Sequence, residues 1–110
     1  MPIELDAASL DLTRLIRAGD RVACAQASSE PLTLTETLVR QAEAIGPLEV
    51  FLGATFSDTF QPDATPNLRF CGLGGIGTAH RLSRTLRYRV IREPYSRFGD
   101  LFDRRELPCD

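Results

Sequence analysis

Between Arg21 and Leu52 the hydrophobic period changes from two to about 3.6 and back to two, and that double switch leaves few folds open to the chain. Arg21 to Ala25 reads as a strand, with Val22 and Cys24 on one face and Ala23 and Ala25 on the other. All four are small or apolar, as a strand covered on both sides requires. Gln26 to Pro31 is its exit loop. Thr33, Leu34, Thr35 and Glu36 have the T-x-x-E spacing of a capping box, in which the Thr and Glu side chains each satisfy an orphaned backbone N–H. Leu34, Leu38, Ala42 and Ile45 then recur at four, four and three residues, the apolar stripe of an amphipathic helix that Gly46 and Pro47 end. Leu48 to Leu52 returns to alternation, with Leu48, Val50 and Leu52 on one face. Strand, helix and strand in so short a span make a βαβ crossover, which joins parallel strands and is nearly always right-handed.

The flanks extend the pattern. Asp11 is placed to cap a short helix carrying Leu12, Leu15 and Ile16 on one face, with Gly19 to end it. The Thr-, Asp- and Pro-rich stretch from Ala54 to Asn67 reads as an irregular surface connection. Leu68 to Cys71 is a third strand, the glycines at 72, 74, 75 and 77 form a tight turn, and Thr78 to Leu86 is a short helix before a fourth strand, Arg87 to Ile91. The expected class is α/β, a parallel sheet with flanking helices whose ligand edge lies at the strand C-termini.

Composition narrows the chemistry. The chain has 110 residues, 43% of them hydrophobic and 25% charged, which suits one globular domain and excludes disorder. All 13 basic residues are Arg, so Schiff-base chemistry, a covalent pyridoxal cofactor and a P-loop lysine are excluded together. Cys24, Cys71 and Cys109 lie far apart with no C-x-x-C pair and no neighbouring His, a pattern for neither a disulfide framework nor a zinc site. Apolar runs such as Leu48 to Gly53 fall far short of the ~20 residues of a membrane span, and no leader pattern opens the chain. A soluble cytoplasmic protein with no membrane partner is expected. Residues 1 to 68 carry four Arg against ten acids, and residues 69 to 110 nine Arg against five. The Arg series at 81, 84, 87, 89, 92 and 97 reads as a solvated face; only Tyr88 and Tyr95 interleave it, too few aromatics for base stacking, so no nucleic-acid partner is expected. His80, the single histidine, has no Cys or Asp at a suggestive spacing and is assigned no chemistry.

Two functional readings follow. Gly72, Gly74 and Gly77 satisfy G-x-G-x-x-G between a predicted strand and a predicted helix, and Glu93 follows at about the distance of a ribose-binding acid. A dinucleotide-binding module on that turn is the alternative reading. Against it stand the short helix, the crowding of Glu93 by Arg89 and Arg92, and the little chain left for a second half.

The main reading rests on a resemblance. Arg17 to Val22 entering the first strand, Ser29 to Pro31 leaving it, the turn Gly72 to Gly77 and the closing stretch Tyr95 to Asp110 together resemble the N-terminal part of the acetyl-CoA hydrolase/transferase family. Its members are acyl-CoA hydrolases and carboxylate CoA-transferases, several times longer and built from two CoA-transferase-like halves. The resemblance implies transfer of an acyl group from CoA to a glutamate, giving a glutamyl-CoA thioester that a carboxylate or water resolves. It places that glutamate in the C-terminal half, so no catalytic residue is assigned here, and Glu30 is read as complementing a helix dipole. Coenzyme A is then a substrate, with no covalently bound cofactor. The cleft candidates are Gln26, Ala27, Ser28, Ser29 and Glu30, where backbone N–H groups face a thioester oxygen, together with Gly72, Gly74 and Gly75. Leu107, Pro108, Cys109 and Asp110 match the approach to a further core strand, so the chain is expected to be an incomplete domain that forms a homo-oligomer or meets a C-terminal half.

Overall fold

The computed structural model describes residues 4, 6–107 and 109–110. Four strands, β1 (Arg21–Ala23), β2 (Leu48–Leu52), β3 (Leu68–Gly72) and β4 (Tyr88–Val90), form one sheet in which every pairing is parallel and spatial order equals chain order. The α-helices are α1 (Leu32–Ile45), α2 (His80–Ser83) and α3 (Phe98–Asp103). The expected α/β class with a parallel sheet therefore holds.

Register explains the core. Val22 lies opposite Val50, Val50 opposite Phe70, and Phe70 opposite Tyr88, so one face of the sheet is a continuous apolar surface. Leu48, Val50, Leu52, Leu68 and Phe70 on that face are all buried, packed with Leu38, Ala42 and Ile45 of α1, Leu82 of α2, and Leu12 and Phe60 from loops. Strands that step one way through crossovers of one hand carry all their connections on the same side. On the opposite face Phe98, Leu101 and Leu107 pack on Cys71 and Ile91, with Phe51, Leu73 and Phe102 at the margin of that cluster. Elsewhere on that face Arg21, Glu49 and Arg69 form a cross-strand row that keeps contact with water, and Arg89 bonds Glu49 at 3.2 Å.

Several local expectations are corrected. The capping box does not form: α1 starts at Leu32, and the Pro31 carbonyl, not a Thr33 side chain, receives the Leu34 and Thr35 N–H groups at 2.9 and 3.0 Å. With the helix starting earlier, Leu34 is 46% exposed and the buried residues are Thr35, Thr37, Leu38, Ala42 and Ile45. Thr35 fits there because its hydroxyl lies 3.3 Å from both the Leu32 carbonyl and the Glu30 carboxylate. Leu34→Ser is accordingly expected to shift unfolding free energy by less than about 0.5 kcal/mol, read from the urea midpoint.

The N-terminal helix is only a 3-10 turn, Leu12–Arg14, capped by Asp11, whose carboxylate accepts the Thr13 N–H at 3.0 Å. Leu12 is buried, whereas Leu15 is exposed. The Gln41 side chain accepts the Leu12 N–H at 2.8 Å and donates to the Leu10 carbonyl at 2.9 Å, so these groups bond to α1. The helix expected over Thr78 to Leu86 is one turn, ended where the Ser83 and Thr85 hydroxyls take the His80 and Leu82 carbonyls at 2.8 and 2.7 Å.

β1 is not covered on both sides. It is an edge strand, with Ala23 and Ala25 exposed and Val22 and Cys24 half-buried. The outward N–H and C=O of Arg21 are taken by the Asp110 carboxylate and the Asp110 N–H, each at 3.0 Å. The stretch from Tyr95 forms a 3-10 turn, Tyr95–Arg97, and then α3; Pro108 lies outside the described residues. Among the described residues no helix is long and apolar enough to cross a membrane.

One side chain fastens the end of the irregular connection from Ala54 to Asn67. The Arg87 guanidinium donates to the carbonyls of Thr65, Leu68 and Pro62, the last two at 2.8 and 2.7 Å.

Candidate functional site

The carboxyl ends of β1 and β2 open into a cleft of about 560 Å³. The continuation of β1 supplies one rim, with Cys24, Ala25, Gln26 and Ser29; Phe51, Gly53 and Leu73 form the base. α3 and the turn before it supply the facing wall, with Tyr95, Phe98, Gly99 and Phe102. Phe51 meets Phe98 and Phe102 edge-on, with ring centroids 5.7 and 6.0 Å apart, and Tyr95 stacks on Phe98 at 5.4 Å. These are the offset and T-shaped arrangements that the aromatic quadrupole favours.

Local bonding fixes the rim. Gln26 lies over Gly53, where any Cβ would collide with its side chain, and its amide oxygen accepts the Ala54 N–H at 3.1 Å. The Ala27 N–H donates to the Ala54 carbonyl at 2.8 Å, and Ala27 is held at φ 53°, a left-handed conformation that costs a non-glycine residue about 1–3 kcal/mol. The Ser29 and Glu30 N–H groups close back on Gln26 and Ala27 at 3.0 and 3.2 Å. Among the described residues, the Ser28 N–H is left without an acceptor.

Of the sequence-predicted site residues, Gln26 and Ser29 line the cleft; Ala27, Ser28 and Glu30 belong to the same loop but do not. Glu30 faces the other way. Its carboxylate accepts the Ser57 hydroxyl at 2.9 and 3.1 Å as well as that of Thr35, tying the loop to α1 and to the irregular connection.

Gly72, Gly74 and Gly75 do not reach the cleft either, and Leu73 does. Smallness serves packing at Gly72 and Gly75, whereas Gly74 has open space around it and adopts φ 125°, a conformation that favours glycine. A Cβ on Gly72 would run into the Leu52 carbonyl and the Tyr88 hydroxyl, and one on Gly75 would meet Ser83 and His80. The Tyr88 hydroxyl fills the turn, donating to the Gly74 carbonyl at 2.9 Å and accepting the Gly74 N–H at 3.2 Å. Gly77, at φ 67°, sits directly against the Thr55 carbonyl. The N–H that a bound phosphate would use at Gly74 is thus already engaged, and the helix that follows is one turn long.

The aromatic wall was missed from sequence. Its signal is the spacing of Tyr95, Phe98, Leu101 and Phe102, which matches one helical face.

All three cysteines are free thiols. Burial, with the Glu30 carboxylate second, pushes the Cys24 thiol up to about 11 from an ordinary 9.0. Burial, followed by the Glu49 charge, does the same for Cys71. Neither is a ready nucleophile, since the thiolate is the reactive form. A folded-state pKa raised in this way favours the neutral thiol, so stability is complete below pH 9 and lost as pH rises toward 11, because the unfolded chain ionises first. Alkylation at pH 8 should label exposed Cys109 well before the other two; rapid labelling of Cys71 in the folded chain would contradict this.

Among the described residues no three His, Cys, Asp or Glu side chains cluster to hold a metal ion. Compared with known proteins, the chain matches no family model, no curated protein and no solved structure.

Proposed function

We propose that this chain forms the N-terminal part of an acetyl-CoA hydrolase or carboxylate CoA-transferase and contributes the thioester-facing rim of its cleft. The observation that carries the reading is the cleft at the carboxyl ends of β1 and β2, rimmed by the loop that the resemblance makes substrate-facing. Parallel sheets characteristically bind ligands at that edge. Attack of a carboxylate on the thioester carbonyl develops negative charge on its oxygen, and Gln26 and Ser29 are the loop's polar residues that line the cleft where that charge would fall. No acid in the chain is assigned the role of that nucleophile: Glu30 is turned away from the cleft and spends its oxygens on Ser57 and Thr35.

Titrating acetyl-CoA into the isotopically labelled chain tests this. Saturable amide shifts at Gln26 to Ser29 and Gly53 are expected, and no response there at millimolar ligand overturns the reading. Saturable binding of a nicotinamide dinucleotide that Gly74→Ala abolishes, with no response to acetyl-CoA, would favour the alternative.

A further inference from the structure

The cleft is much larger and more aromatic than an acetyl group needs. At roughly 30 Å³ per water-sized unit, the three heavy atoms of an acetyl group would take about a sixth of its 560 Å³. Its walls are ring surfaces from two separate elements, Phe51 on β2 and Tyr95, Phe98 and Phe102 at α3, set edge-on or stacked to one another. Its polar side chains are few: Gln26 and Ser29 on the rim and the Tyr95 hydroxyl at the edge of the facing wall. Apolar walls with a few convergent polar groups at one end orient a ligand with a flat apolar body and a polar head.

We infer that this cleft is an aryl-acyl site: a planar aromatic ring lies in the cleft against the half-buried Phe51 and Phe102, with its carboxyl-derived carbonyl toward the Gln26–Ser29 rim. This deepens the thioester reading and rests on it for the carbonyl, whereas the ring's seat follows from the cleft alone. Gly99 supplies a clean way to close it. A Cβ there meets nothing within 4 Å, its φ is not in the left-handed region, and it lines the wall. Gly99→Leu should therefore fill the cleft without straining the fold.

The test titrates the N-acetylcysteamine thioesters of benzoic, hexanoic and acetic acids into the full chain, with benzamide as a probe that lacks the thioester. The benzoyl thioester should bind at least tenfold more tightly than the acetyl one, shifting the amides of Gly53 and Gly99 as well as those of the rim. Gly99→Leu, checked for an unchanged unfolding midpoint, should erase that tenfold difference, and Phe102→Ala should reduce it. Equal affinity for benzoyl and acetyl thioesters, or tighter binding of the hexanoyl one, overturns the aryl assignment while leaving the thioester reading intact. Shifts at Gly53 and Gly99 with benzamide, but none with any thioester, would keep the aryl seat and discard the thioester reading. Silence from all four ligands overturns both.

Discussion

Replacing Arg87 with Met should lower the unfolding free energy by about 3 kcal/mol, the largest loss expected from a single side chain near the surface. Its guanidinium donates to the carbonyls of Pro62, Thr65 and Leu68, of which that of Thr65 also accepts the Leu68 N–H at 3.1 Å. Bonds to a charged donor are worth about 1.5–3 kcal/mol each in isolation, but the three share one side chain and do not add in full. Met preserves the length and the apolar stem, so the loss isolates the head group. Arg87→Lys should recover little, because a point charge cannot reach three carbonyls that a planar fork spans. Urea unfolding checks both: the midpoint should fall with an unchanged slope. A Lys variant as stable as the parent would show that charge, not the fork, holds the connection.

Gly72→Ala is expected to cost about 3 kcal/mol or more, at the upper end of overpacking penalties. The added Cβ would meet the Leu52 carbonyl of the adjacent strand, which is backbone and cannot swing aside, and the Tyr88 hydroxyl that organises the glycine turn. Thermal unfolding of the Ala variant, compared with Gly99→Ala as a control in open space, measures the effect. A neutral Gly72→Ala would mean that the strands can separate there at little cost, and the packing account of the turn would fail.

The sheet was legible because its strands announce themselves by period. Leu48, Val50 and Leu52 alternate on one face, and Leu68 and Phe70 continue that face across the register. What misled was each place where a partner distant in sequence decides. The T-x-x-E spacing is real, yet the Pro31 carbonyl starts the helix first, and that shift exchanges Leu34 for Thr35 in the buried row. Thr35 hides its polarity in bonds to Leu32 and Glu30, so a hydrophobicity count scores it wrongly. The small residues of β1 suggest cover on both sides, but Ala23 and Ala25 are also what an exposed edge tolerates.

The site divides in the same way. Gln26 and Ser29 were legible as cleft residues because the exit of a first parallel strand has a fixed place in such folds. Glu30 points away because of Ser57, which lies 27 residues on, and no local pattern encodes that bond. The glycines at 72, 74 and 75 do mark a constrained turn, but the constraint is the approach of Leu52, Tyr88 and His80 at Gly72 and Gly75 and a φ of 125° at Gly74 rather than a ligand. The aromatic wall went unread because α3 is only six residues long, too brief for its period to stand out.

Spatial order equal to chain order has a kinetic consequence. Each strand pairs only with the strands that precede and follow it in the chain, so every pairing can form by closing one short loop, without waiting for a remote segment. Loop closure is the entropic hurdle that slows folds with distant pairings. Here the sheet can zip up in either direction from β2 and β3, whose five-residue pairing is the longest. The bonds between Arg21 and Asp110 join residues 89 apart. They close the longest loop in the molecule, and so belong at the end of folding rather than in its nucleus.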